Sequence, residues 1–214
     1  MDEKTLKLFF DRLKKQNPNP RCELTYTNDY TLLVAIVLSA QTTDKNVNKA
    51  TPALFAVADS PEKMLELGEE RLKTFIRSIG LYNSKAKNII ALSKSLVEDF
   101  GGKVPADRDV LQTLAGVGRK TANVFLNEMY GAETFGVDTH VFRLCNRLGI
   151  AEGKTPLDVE KALEKAVKGV LSPEDVKCVS HWLVLHGRYV CTAKKPHCDV
   201  CPNADICPAK NATG

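Results

Sequence analysis

Four cysteines crowd one short segment, Cys191, Cys198, Cys201 and Cys207, with the spacing C-x6-C-x2-C-x5-C. Thiolates gather in this way when a metal ion or cluster offsets their mutual repulsion and the ordering entropy of the loop. The segment therefore reads as a zinc or iron–sulfur site, and spacing alone leaves the choice of metal open. A pair of disulfides is the structural alternative. The N-terminus, Met1-Asp2-Glu3-Lys4, is charged and lacks an apolar signal segment. That points to an intracellular protein, where disulfides seldom persist. The other cysteines, Cys22, Cys145 and Cys178, are scattered and read as small core residues.

A second chemical segment runs Leu114-Ala115-Gly116-Val117-Gly118-Arg119-Lys120-Thr121-Ala122. Two glycines one residue apart, ahead of an amphipathic helix, make a tight turn whose backbone N–H groups can hold a phosphate at the helix N-terminus. The segment is not a Walker A loop, because Arg119 separates Gly118 from Lys120. It is not a dinucleotide fingerprint either, because Thr121 stands where a third glycine is needed and no strand precedes it. Lys120 falls in the first helical turn, with Arg119 beside it and the positive end of the helix dipole beneath it. A lysine amine so placed is a candidate nucleophile for Schiff-base chemistry. A plain helix–helix turn with a solvated lysine is the bland reading. Further on, Val137-Asp138-Thr139-His140 places Asp138 just before an apolar stripe, the position of an N-cap. A carboxylate so placed could also polarise a nucleophile or stabilise a nearby cation.

The elements that must position these groups read as helices. Asp29 precedes the longest apolar run, Leu32 to Leu38, which predicts a helix buried on most sides and is far too short to span a bilayer. Ser60-Pro61, Thr155-Pro156 and Ser172-Pro173 each place a capping hydroxyl before a proline suited to the first helical position. Ala122, Phe125, Leu126 and Met129 form one apolar stripe at helical spacing, and Val141, Leu144, Cys145 and Leu148 form another. No period-2 alternation is bounded by hairpin turns, so the fold class is all-α. Residues 211–214 read as a frayed tail.

Composition narrows the partners. The chain has 214 residues, 43% of them hydrophobic, with 30 basic and 26 acidic side chains. Its small excess of positive charge is unevenly placed. Between Arg71 and Val97 stand Arg71, Lys73, Arg77, Lys85, Lys87 and Lys94 with no carboxylate, and between His186 and Cys198 stand Arg188, Lys194 and Lys195. Such acid-free stretches suggest a face that meets a polyanion, against the alternative of a solvated helix face.

Taken in order, the glycine hairpin ending in Lys120, the Val137-Asp138-Thr139-His140 segment and the four-cysteine loop resemble the endonuclease III family of helix-hairpin-helix DNA glycosylases. Leu38-Ser39-Ala40-Gln41, Ile79-Gly80-Leu81-Tyr82-Asn83-Ser84-Lys85-Ala86 and His186-Gly187-Arg188-Tyr189 also match, so the resemblance extends from about Leu13 to Cys207. It implies two helical domains with a cleft between them. One is a six-helix barrel over residues 22–132, containing the helix-hairpin-helix at about 107–130. The other joins residues 1–21 to 133–214 and carries a cluster loop at 191–207. It implies that Cys191, Cys198, Cys201 and Cys207 ligate a [4Fe-4S] cluster of structural role. It implies that Lys120 is the nucleophile of a combined base-excision glycosylase and AP lyase acting on oxidised pyrimidines, with Asp138 assisting. It implies that Gln41 fills the space a flipped nucleotide leaves, that Ile79 and Leu81 wedge the opposite strand, and that Gly116, Val117 and Gly118 hold DNA backbone.

The expected partner is double-stranded DNA with damaged pyrimidines or abasic sites, met by a monomer in the bacterial cytoplasm at the nucleoid. Two departures from the family pattern are Ala115, where proline is usual, and Gln112, where a carboxylate is common. The first removes at most about 0.4–1 kcal/mol of pre-organisation. Neither touches the nucleophile. A monofunctional adenine mismatch glycosylase shares the fold and cysteine spacing but lacks the lysine. A non-catalytic helix-hairpin-helix DNA-binding module would need neither Lys120 nor Asp138.

Overall fold

The computed structural model describes residues 1–211, so of the expected frayed tail residues 212–214 lie outside the described residues. Among the described residues there are twelve helices and no strand. In chain order they are α1 (Glu3–Gln16), α2 (Asp29–Ser39), α3 (Asp44–Phe55), α4 (Pro61–Leu67), α5 (Glu69–Ile76) and α6 (Tyr82–Phe100), then α7 (Arg108–Leu111), α8 (Arg119–Tyr130), α9 (Thr139–Leu148), α10 (Pro156–Val167), α11 (Pro173–Tyr189) and α12 (Pro208–Asn211). None of them is long and apolar enough to cross a membrane. The chain divides into two compact units. One is Glu23–Tyr130 and the other joins Met1–Cys22 to the chain from Gly131 onward.

In the unit 23–130, α2 is the centre. Every residue from Tyr30 to Leu38 is buried. A helix apolar on all faces has no side to give to water, so other helices must surround it, and α3, α6 and α8 pack against it. Its start is set one residue earlier than Asp29. Asn28 is the cap, its Oδ1 accepting from the Thr31 amide at 2.8 Å while the Thr31 hydroxyl oxygen accepts from the Asn28 amide at 2.9 Å. One polar pair lies within this core: the Tyr30 hydroxyl and Ser93 Oγ are 2.6 Å apart, and Ser93 donates to the Ile89 carbonyl at 2.7 Å. Burial raises the Tyr30 phenol well above its ordinary range.

The other unit is built on α1, α9, α10 and α11. Leu6, Phe9, Phe10 and Leu13 of α1 pack with the α9 stripe of Val141, Leu144, Cys145 and Leu148 and with Trp182 and Leu183 of α11. The Trp182 indole N–H donates to the Asn17 carbonyl at 2.8 Å, fixing the end of α1. Ser60, Thr155 and Ser172 cap their helices and are followed by proline, with a complete capping box at Thr155 and Asp158. Cys145 lies in the core and burial pushes its thiol up to about 12, whereas Cys22 and Cys178 are only half-buried.

Because α2 is enclosed on all sides, truncating it leaves a void that neighbours cannot fill. Leu33→Ala is expected to destabilise its unit by about 2–5 kcal/mol, measured as a lower urea midpoint. An unchanged midpoint would show that the unit does not depend on this helix.

Candidate functional site

Lys120 is the second residue of α8 and is exposed. The turn before it is held by its own backbone: Leu114 donates its N–H to the Leu111 carbonyl at 3.1 Å, and Val117 donates to the Leu114 carbonyl at 3.1 Å. Gly116 has φ +77°, and a Cβ there would stand 3.1 Å from the Asn88 side chain on α6, so any larger residue would be both strained and crowded. A Cβ at Gly118 would meet nothing within 4 Å, so the chain leaves that side of the turn open. The Gly118 carbonyl accepts from Ala122 at 3.0 Å and starts α8. The first amides of that helix therefore have no partner four residues back, which is the arrangement that attracts an anion. Val117, expected among the residues that hold DNA backbone, is the inward-facing member of the turn. Its side chain is 4% exposed and its N–H is already committed to Leu114, so it anchors the turn from within. Gln112 spends its amide locally, donating to the Arg108 carbonyl and to Asp109 at 3.3 Å each.

Asp138 is the N-cap of α9, and both of its amide bonds fall on one oxygen. Oδ1 accepts from His140 at 2.8 Å and from Val141 at 2.9 Å. Oδ2 takes no part in the cap. The capping role is thus observed, and it leaves half of the carboxylate for chemistry.

Two exposed tips stand out in the unit 23–130. Gln41 and Leu81 are the only non-glycine residues with positive φ among the described residues, at 56° and 59°. Holding a branched or long side chain in that region costs about 1–2 kcal/mol per residue. Leu81 is 60% exposed. Ile79, expected beside it as a second wedge, is 1% exposed. Ile79 sits in the core three residues after the buried Ile76, whose carbonyl accepts its N–H at 2.9 Å, and Leu81 is the member of the pair that projects.

The acid-free stretch divides in the same way. Arg71, Arg77 and Lys87 are exposed and form no ion pair among the described residues. Lys73 is held by Glu69 and Glu70, each at 2.7 Å, and is not a cation waiting for DNA. Lys85 is 5% exposed and turned inward, its Nζ donating to the Leu38 carbonyl at 2.9 Å and the Ala40 carbonyl at 2.6 Å. Sequence reasoning counted it among surface cations; no local signal distinguishes it from Lys87 two residues on.

No disulfide joins any of the seven cysteines. Cys191, Cys198, Cys201 and Cys207 are each half-buried and line one pocket, partly open to solvent, with Phe9, Leu148, His186 and Ile206 among its walls. Burial raises the Cys201 thiol, and the charges of the other three cysteines add to that effect. Burial lowers His186 to about 4, so its ring is neutral, with Nε2 3.7 Å from Cys201 Sγ. Among the described residues no three His, Cys, Asp or Glu groups are placed to hold a metal ion. Two arginines of α9 hold the loop. Arg143 donates to the Gly187 and Cys191 carbonyls at 2.7 and 3.0 Å. Arg147 reaches Cys191 Sγ at 3.3 Å and the Thr192 and Ala193 carbonyls at 2.9 and 3.0 Å. These two arginines were not singled out from sequence, although both lie on the polar side of the α9 stripe.

Comparison with known proteins bears on this arrangement. Residues 34–169 match the family model described as HhH-GPD superfamily base excision DNA repair protein. Endonuclease III of Rickettsia conorii is 54% identical over 207 residues, covering 97% of this chain and 97% of its own. Endonuclease III of Escherichia coli K12 is 52% identical over 199 residues, covering 93% and 92%. The solved structure of a trapped endonuclease III–DNA covalent intermediate, an estranged-adenine complex, superposes with a TM-score of 0.90 at 38% identity, covering 100% of this chain and 99% of that one. The chain belongs to the HhH-GPD superfamily of base excision DNA repair proteins.

Proposed function

We propose that this chain removes oxidised pyrimidines from duplex DNA and cleaves the strand at the resulting abasic site through a Schiff base on Lys120. The observation that carries the reading is an exposed amine at the open N-terminus of α8, directly after a glycine turn that the chain leaves uncovered at Gly118. The turn and the first amides of α8 hold backbone phosphate. The damaged nucleotide leaves the stack, because its sugar carbon is unreachable within the duplex. Gln41 fills the space it vacates and Leu81 supports the opposite strand, the apolar contact offsetting the cost of unstacking.

Lys120 Nζ attacks C1′, and the bond from C1′ to the base breaks, the base leaving with the electron pair and taking up a proton. The sugar ring opens and the nitrogen–carbon bond becomes a Schiff base, which acidifies the proton on C2′. Loss of that proton expels the 3′ phosphate, and water then hydrolyses the imine and returns the amine. Asp138, through the Oδ2 left over from its cap, assists deprotonation of the amine and stabilises positive charge developing on the sugar.

Cys191, Cys198, Cys201 and Cys207 hold a [4Fe-4S] cluster in this reading. Four soft donors around a space of several atoms suit a cluster. A single zinc ion would draw its sulfurs to within about 2.3 Å of one point. When bound, the cluster supplies a covalent staple for the basic loop between Cys191 and Cys198, whose Lys194 and Lys195 then face DNA phosphates. The protein acts as a monomer on double-stranded DNA in the bacterial cytoplasm.

Three outcomes follow. Borohydride added to protein and a duplex carrying thymine glycol, or an abasic site, traps a covalent adduct. Lys120→Ala abolishes the adduct and lowers cleavage by roughly 1,000-fold or more; an adduct that survives the substitution would place the nucleophile elsewhere. Asp138→Asn keeps a side chain that caps helices about equally well, so the fold and DNA affinity hold while the rate falls roughly 100- to 10,000-fold. Equal rates would reduce Asp138 to a cap. Purified protein contains about four iron and four sulfide per chain, and Cys198→Ser loses most of that iron; zinc in their place would overturn the cluster assignment.

A further inference from the structure

Lys85 is a lysine in the first turn of α6 that does not reach solvent. No ion pair involves it among the described residues, and burial lowers its pKa from the ordinary lysine range. Its main-chain N–H donates to the Leu81 carbonyl at 3.0 Å. Its side chain spans to a different helix and donates to the carbonyls of Leu38 and Ala40. Residue 40 is the last before Gln41. One residue therefore bonds by its backbone to one strained tip and by its side chain to the stem of the other.

The carbonyls it reaches have few alternatives. At the end of α2, the Ile36 carbonyl accepts from the Ser39 hydroxyl, the Val37 carbonyl from the Ala40 amide and the Ser39 carbonyl from the Thr42 amide. Leu38 and Ala40 are left for Lys85. The negative end of the α2 dipole helps to keep the ammonium there without a carboxylate. A helix end could be satisfied by water at no such cost if the only need were to finish α2. What water cannot do is fix the stem of Gln41 to the stem of Leu81.

We propose that Lys85 is a positioning residue, a strut that fixes the Gln41 tip against the Leu81 tip so that both enter the duplex as one rigid unit. This rests on the reading of those tips as the DNA-penetrating elements. Without the strut the Leu38 and Ala40 carbonyls lose their donor, the end of α2 loosens, and Gln41 leaves its positive-φ conformation. Ordering the tip would then have to accompany every insertion into DNA.

The test separates substrates that need insertion from one that does not. Lys85→Met keeps the length and removes the donors. It is expected to lower kcat/KM on a lesion in paired duplex by roughly 10- to 100-fold, the scale of a misplaced group. Cleavage of a single-stranded oligonucleotide with an abasic site should change by less than about 3-fold, because no partner strand has to be opened. Adding Gln41→Ala to Lys85→Met should cost little beyond either change alone. Equal losses on both substrates, undiminished duplex activity, or losses that multiply in the double variant would each overturn the strut. If Lys85→Met does not fold, Gln41→Ala and Leu81→Ala are combined with Lys85 intact. Their joint loss should fall short of the product of the single losses, and a full product would overturn it. Wild-type protein inactive on both substrates would instead sink the functional reading itself.

Discussion

The unit 23–130 depends on the enclosure of α2. Its residues from Tyr30 to Leu38 are all buried, so surrounding helices must cover every face. Enclosure creates a second demand at the ends. The amides at the start are met by Asn28 and Thr31 within the same turn, a local solution. The carbonyls at the end are met partly by a lysine from another helix, which also ties that end to α6. The same bonds that complete α2 place the Gln41 stem beside the start of α6.

Helix α6 then carries more than its own packing. Its N-terminus presents Leu81, its first turn supplies Lys85, and its next turn places Asn88 against Gly116 of the glycine turn. Three elements that contact DNA in the proposed mechanism are thereby referred to one rigid helix of 19 residues. Rigid elements hold reacting and inserting groups more closely than loops do, which is what attack on a single sugar carbon requires.

In the other unit, α9 has a comparable double use. Its first turn is capped by Asp138, and the cap consumes only Oδ1. Its polar side carries Arg143 and Arg147, which hold the cysteine loop through backbone carbonyls and one thiol sulfur. The apolar side of the same helix is a core stripe of Val141, Leu144, Cys145 and Leu148. Core burial therefore fixes the orientation of both the carboxylate and the loop clamp, and a lesion in that stripe would disturb both.

Features with local causes were legible in the chain itself. Capping hydroxyls before prolines, apolar stripes at helical spacing, an aspartate ahead of a stripe and four cysteines in a short loop each depend on residues a few positions apart. The helices, the Asp138 cap and the all-α class follow from them. Tertiary structure decided which members of a local group face inward. Ile79 and Leu81 are neighbours of similar type, yet one is core and the other projects. Lys85 and Lys87 lie on the same helix start, yet only Lys85 turns inward, to a carbonyl 47 residues earlier in the chain. Val117 spends its N–H inside its own turn, and Lys73 is claimed by two glutamates. The physical reason is that exposure and hydrogen-bond partnership are properties of the space around a side chain, and segments far apart in sequence build that space.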